Sequence, residues 1–346
     1  MSELLFSDDD EEIFDYISSD FFNRRVGERP DHYYIWTDKA FHRRFRLDKE
    51  SVTYLLNKIE HKLIIPTRNR FYATGSQLLT CEDFVGVHES TACRTIHRVT
   101  DAIAKLYPQF IFMPTTEAEQ RQAAIEFYEI SRFPRIIGAI DCTHVRMKSP
   151  GGETAEIYRN RKGYFSLNMQ AICFAGLMFN DVVARWHGSA HDSHIWDNSN
   201  QRRHFLQGTY RNYCLLGDSG CAQTAFMMTP LATAQIRTRN TIERIPFGIW
   251  KRRFPIVTRG IQVHLSMIPG IIIATCVLHN LARLRNDSEP PIDAKYPPIL
   301  DDNEQEPANS NSQTNTNKNT PGCYAREALI EQHFGRLNML FCSTMY

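Results

Sequence analysis

The chain has 346 residues, 42% of them hydrophobic and 23% charged, with a formal net charge of +1. That length and apolar content suffice for one substantial core or two smaller ones, and a near-neutral balance excludes a global field that selects a nucleic acid or a membrane. The nine cysteines are odd in number, scattered and without a C-x-x-C pair, which argues against a disulfide framework or a zinc knuckle and for a reducing compartment.

Residues 1–40 are acidic and aromatic, with Asp8 to Glu12 as a charge run. They read as a surface-attached or partly flexible segment and not as a signal or transit peptide. From Leu47 to Leu63, the positions Val52, Leu55, Leu56, Ile59 and Leu63 recur at helical spacing. Thr80 to Tyr107 predicts two helices broken at Gly86, with Ser90 capping the second, and Glu117 to Ser131 predicts another that Pro134 ends. After Pro134 the pattern changes to strands. Arg135 to Asp141 is an apolar run ending in a carboxylate, Tyr164 to Ala175 alternates, Val182 to Trp186 is β-branched, and Tyr213 to Asp218 again ends in a carboxylate. Helices are predicted over His191 to Phe205, Thr238 to Phe254 and Ile271 to Leu284. The apolar stretch Ile268 to Leu281 contains Pro269, Gly270, His279 and Asn280, and reads as a buried helix too short and interrupted to span a bilayer. Residues 286–322 are rich in Asn, Ser, Thr and Gln, the composition of a disordered linker. A short amphipathic helix is predicted over Arg326 to Leu340. The expected organisation is an N-terminal segment 1–40, a helix-turn-helix-like region 41–133, an α/β domain 134–285, a linker 286–322 and a C-terminal helix or tail 323–346.

Two apolar runs that end in Asp141 and Asp218 suggest a metal-dependent nuclease. Phosphodiester cleavage by two divalent ions needs hard oxygen ligands held rigidly, and a strand end provides them. In a ribonuclease-H-like sheet the first and fourth strands are neighbours, so these two carboxylates would meet. Glu243, within Thr238-Arg-Asn-Thr-Ile-Glu-Arg244, fits the third acid. Asp192 reads equally as a helix cap and as a further ligand. Between Gln235 and Gly260 lie Arg237, Arg239, Arg244, Lys251, Arg252, Arg253 and Arg259 against a single acid, Glu243, a pattern suited to a phosphate backbone. Arg159, Arg161 and Lys162 form a second basic turn.

Six ordered blocks carry a family resemblance: Gly138-Ala-Ile-Asp-Cys-Thr-His144, Asn160-Arg-Lys-Gly-Tyr164, Asn168-Met-Gln170, Gly188-Ser-Ala-His-Asp-Ser193, Leu216-Gly-Asp-Ser-Gly220 and Arg239-Asn-Thr-Ile-Glu-Arg244. They resemble those of PIF/Harbinger transposases and the nucleases derived from them, as do the closing blocks Lys251-Arg-Arg-Phe-Pro255 and Cys276-Val-Leu-His-Asn-Leu281. The resemblance runs from about Phe45 to Leu284. It implies a ribonuclease-H-like mixed sheet flanked by helices, with divalent metal (Mg²⁺ or Mn²⁺) bound by Asp141, Asp192, Asp218 and Glu243. Catalysis would fall to Asp141, Asp218 and Glu243. Phe71 to Ser76 and Val85 to Arg94 are similar to the family's helix-turn-helix, which would place Arg94, His97 and Arg98 on a DNA-recognition helix. The resemblance further implies DNA as substrate, a Myb-like DNA-binding partner protein, a nuclear location with the cytoplasm as second compartment, and no membrane.

Three departures bear on activity. Glu243 lies 25 residues after Asp218, a tighter spacing than the family's. Leu63 to Arg70 is short before the Phe71 block. The family's Glu-Arg-Thr-Phe-Gly is replaced by Glu243-Arg-Ile-Pro-Phe-Gly248, and Pro246 inside a helix would cost about 3 kcal/mol and kink it near Glu243. These departures give the expectation of a retained fold with weakened catalysis, and, as the alternative function, a silent DNA-binding protein.

Overall fold

The computed structural model describes residues 32–63, 89–131, 133–217, 224–228 and 244–289. In chain order the helices before the sheet are α1 (His32–Ile35), α2 (Asp38–Phe45), α3 (Lys49–Ile59), α4 (Glu89–Ala104), α5 (Tyr107–Phe110) and α6 (Glu117–Ser131). The strands β1 (Ile136–Arg146), β2 (Ser166–Cys173) and β3 (Phe179–His187) follow. Then come helices α7 (Asp192–Asp197) and α8 (Asn200–Leu206), strands β4 (Cys214–Gly217) and β5 (Met227–Met228), and helices α9 (Arg244–Arg253), α10 (Ile256–Arg259) and α11 (Ile268–Leu284).

The five strands form one mixed sheet in the order β3-β2-β1-β4-β5. β1, β2 and β3 pair antiparallel, while β4 runs parallel to β1 and β5 parallel to β4. The expected adjacency of first and fourth strands is therefore present. Because side chains alternate across a strand, the register separates two faces. Val145, Leu167, Met169, Ala171 and Cys173 join one core with α3, α4, α9 and α11. Ile140 and Ile172 join the other, with Trp196 of α7, Phe205 of α8 and Ala123 and Ala124 of α6.

The N-terminal helices share the first core. Leu47, Leu55, Ile59, Val99 and Ile103 are buried in the same cluster as Phe179, Trp250 and Ile271. Helix α11 runs through its centre. With the preceding turn it is long and apolar enough by composition to cross a membrane, so the expected shortness is not observed; 72% of its most apolar window is nevertheless buried inside the protein. Pro269 lies in its first turn, where no intrahelical N–H bond is lost. Asn280 explains part of the closing block. Its amide donates to the carbonyls of Phe110 (2.8 Å) and Phe179 (2.7 Å) and accepts from Phe179 N–H (2.9 Å), tying α5, β3 and α11 together. His279 donates its Nε2–H to Leu177 O, and burial lowers its pKa to about 3, so it is a neutral core residue.

β3 is an edge strand, and it is protected. Asn180 is an extra residue between the pairs Ile172↔Asp181 and Cys173↔Phe179, which bends the strand. The outward N–H of Val182 donates to the Tyr107 hydroxyl at 3.2 Å, and Asn180 Nδ2 donates to Phe112 O at 3.0 Å.

Candidate active site

The apolar run before Asp141 forms β1 as predicted, but the strand does not end there: it continues to Arg146. Among the described residues β4 accompanies β1 as far as Ile140↔Gly217, and β2 stays paired through Asp141↔Ala171 to Arg146↔Ser166. Asp141 is thus the first residue of β1 beyond its β4 partner among the described residues, half-buried, with Cys142 N–H donating to its Oδ1 at 2.8 Å. Its side chain lies on the α4/α9/α11 face. The Cys173 thiol on that face is pushed well up by burial, with the negative charge of Asp141 adding to the shift.

Asp192 lies elsewhere. It opens α7, and its Oδ1 accepts from Asn168 Nδ2 at 2.9 Å; the same amide donates to Ala190 O at 3.0 Å. Asn168 pairs with His144 and is three residues from Ala171, the partner of Asp141. Odd spacing on a strand places Asn168 on the opposite face from Ala171 and Asp141. The structure therefore does not bring Asp192 together with Asp141 as the resemblance implied; Asp192 anchors its turn to β2. Asp218, Glu243 and Arg239 lie outside the described residues. Among the described residues no group of three His, Cys, Asp or Glu is arranged to hold a metal, and Cys93, Cys142, Cys173, Cys214 and Cys276 form no disulfide.

The predicted basic residues divide sharply. Arg253 is fully buried, donating to Arg46 O at 2.8 Å and Ser288 O at 3.1 Å. Burial lowers its pKa, opposed by Asp287, Glu289 and Asp48. The expectation that Arg253 faces DNA is overturned, because no phosphate can reach it. Arg252 is paired with Glu289 at 2.6 Å, and Lys251 is half-buried. Arg244 is the first residue of α9. Pro246 is the third residue of that helix and buried. The first-turn N–H groups have no intrahelical acceptor, so the predicted kink and its cost do not arise. On α4, Ala92, Val99, Ala102 and Ile103 face the core while Arg94, His97 and Arg98 are exposed. Partial desolvation, then neighbouring His264, holds the His97 imidazole below its usual pKa, so at neutral pH it offers hydrogen bonds rather than charge.

The second basic turn is built together with the Asp192 turn. Asn160 is buried; its Nδ2 donates to Ser166 Oγ, and its Oδ1 accepts from the N–H groups of Lys162 and Tyr164. Gly188 lies so close that a Cβ there would collide with the carbonyl oxygens of Tyr158 and Ser166. Arg161 donates to His191 Nδ1 at 2.7 Å. Arg159 is neutralised by Glu156 at 2.7 Å and lies over Phe165. The sequence reading missed Arg146. Its guanidinium lies 4.3 Å from the centre of the Tyr164 ring; the polar–apolar alternation after Asp141 was the available signal.

A 3-2-1-4-5 mixed sheet with helices on both faces and Asp141 on its central strand is an α/β fold of the ribonuclease-H-like class. Residues 140–280 match the family described as DDE superfamily endonuclease. The bovine and human proteins named "Putative nuclease HARBI1" are each 30% identical to this chain over 274 residues, 71% of it and 78% of theirs. The Arabidopsis thaliana "Protein ALP1-like" is 23% identical over 245 residues, 61% of this chain and 58% of that one. No solved structure shows significant similarity. The chain belongs to the Harbinger transposase-derived nucleases of the DDE endonuclease superfamily.

Proposed function

We propose that the protein is a divalent-metal-dependent DNA endonuclease using Asp141, Asp218 and Glu243. The observation that carries this reading is the register: Ile140 and Gly217, the residues before Asp141 and Asp218, are paired across β1 and β4. Supporting it, α9, which directly follows Glu243, buries Phe247, Trp250 and Phe254 in the core on the Asp141 side of the sheet. The donor chemistry fits the metal the superfamily uses, since carboxylate oxygens on a rigid sheet suit Mg²⁺ or Mn²⁺. Bound ions would supply Lewis-acid stabilisation of the phosphoryl oxygens and a water of lowered pKa. The chain's own contribution is to fix the Asp141 carboxylate through Cys142 N–H and to hold the DNA backbone with exposed cations, including Arg94, Arg98, Arg161 and Lys162. Asp192 has a positioning role. Nuclear residence and a Myb-like partner belong to the same reading and rest on the resemblance.

The purified full chain should nick supercoiled plasmid in Mg²⁺ or Mn²⁺, and Asp141→Asn should abolish nicking while leaving DNA binding in EDTA intact. A wild-type chain that binds DNA but never nicks would replace this reading with the second one, a silent DNA-binding protein. The tight spacing from Asp218 to Glu243 favours that alternative, whereas the harmless place of Pro246 removes its other support.

A further inference from the structure

Arg252, counted in the basic run of the sequence, and Arg283, outside it, meet on a single acid. Arg252 stands in the last turn of α9 and Arg283 in the last turn of α11. Glu289, five residues past the end of α11, lies between them. Arg252 Nη2 donates to Glu289 Oε2 at 2.6 Å, while Arg283 Nη1 approaches the other oxygen, Oε1, only to 4.0 Å. The carboxylate therefore satisfies one guanidinium and falls short of the second.

The rest of the neighbourhood does not complete the match. Asp287 is engaged by Ser51 and Arg253, and Asp48 lies against His42. The Nε–H of Arg252 is buried and has no hydrogen-bond partner. Arg283 is held in place by its own Nε–H, which donates to Gly176 O at 3.3 Å on the turn between β2 and β3. The two arginine side chains are 27% and 30% exposed, so their stems are packed while their heads can be reached. A phosphate presents acceptor oxygens in more directions than a planar carboxylate, and two fixed guanidinium groups on separate helices suit it. Glu289 itself is 45% exposed, and an ion pair open to water holds weakly.

Position selects the DNA backbone as the anion. Helix α9 begins directly after Glu243 and buries Trp250 and Phe254 in the core on the Asp141 side of the sheet. From Arg244 to Arg252 it advances about 12 Å, roughly four base-pair steps of duplex. We propose that Arg252 and Arg283 clamp one phosphate of the DNA backbone, and that Glu289 is an internal stand-in for that phosphate which the DNA displaces. This rests on the endonuclease reading above. Arg253 is outside the clamp, because it is fully buried.

The test is equilibrium binding of the full-length protein to a fluorescent duplex in EDTA across a salt series, with thermal unfolding to verify that each variant is folded. Glu289→Gln keeps the shape of the side chain and removes the competing charge, so it should tighten binding about fivefold at low salt. Arg252→Ala and Arg283→Ala should each weaken wild-type binding and lower the slope of log K against log salt by about one. In the double variant Glu289→Gln, Arg252→Ala the gain should vanish. Glu126→Gln makes the same change of charge on α6, which packs on the other face of the sheet, and should stay within about twofold of wild type. Glu289→Gln with wild-type affinity, an equal gain in Glu126→Gln, or a wild-type slope in both arginine variants overturns the clamp. Nicking lost in Asp141→Asn upholds the nuclease whichever way these come out. A wild-type chain that binds no duplex at any salt overturns the endonuclease reading itself and the clamp with it.

Discussion

Asp141 and Asp192 are both half-buried aspartates in family-like blocks, yet their surroundings assign them different work. Asp141 follows the Ile140↔Gly217 pair on β1, on the face that α9 covers. Asp192 accepts a hydrogen bond from Asn168 on the other face. An amide can accept that bond as a carboxylate does, but it makes a poor hard-cation ligand. Asp192→Asn should therefore keep most of the nicking activity, while Asp192→Ala loses a substantial part of it and Asp141→Asn loses all. Equal loss in Asp192→Asn and Asp141→Asn would make Asp192 a ligand after all; plasmid nicking at matched metal concentration separates the outcomes. The sequence told little here. Both residues follow apolar or β-branched runs, and only the strand register reveals which face each serves.

At the scale of elements, the apolar runs identified the sheet's central strands, but their ends were misread where side chains turn polar. The predicted strand stopped at Asp141, because single-strand patterning does not show that β2 stays paired with the polar-rich continuation of β1 as far as Arg146. The helix predicted over His191 to Phe205 is two helices, because Ser199 Oγ accepts from Arg202 N–H and starts a second one. Thr37 likewise caps α2 by accepting from Ala40 N–H, in a stretch whose short Phe41/Phe45 repeat gave too weak a period to read. Strand β3 carries a measurable consequence. Burial raises the Asp181 carboxyl from 3.8 to about 6, opposed by the hydrogen bond from Gln201 Nε2 at 3.2 Å. The folded chain then holds this proton more tightly than the unfolded one. Stability contributed by Asp181 falls as pH rises from about 4 to about 6 and stays lower above that. Asp181→Asn keeps an acceptor for Gln201 and removes the charge, so it should raise unfolding stability at pH 7 by on the order of 2 kcal/mol and flatten the pH 4–6 slope. Urea unfolding at pH 4.5 and 7 checks this; a variant less stable than wild type at pH 7 would refute it.

For the whole molecule, Arg253 shows how far the helical N-terminal region and the sheet depend on each other. It reaches from α9 to Arg46 O after α2 and to Ser288 O after α11. Around it, Asp287 accepts from Ser51 Oγ at 2.6 Å and from Asp48 N–H at 3.1 Å. Arg253→Met should cost about 3 kcal/mol or more, since two carbonyls and the neighbouring buried Asp287 lose their cation. A shift in the urea midpoint measures it, and a loss under about 1 kcal/mol would show the knot to be dispensable. Composition gave this residue away to the wrong partner: a basic run looks alike whether its members face phosphate or close a core. The protected edge of β3 bears on how copies of the molecule meet. A foreign strand approaching that side would have to evict the Tyr107 hydroxyl from Val182 N–H and match a strand already bent at Asn180. Sheet-to-sheet polymerisation is therefore blocked on this flank, and any assembly formed there must use side chains rather than backbone.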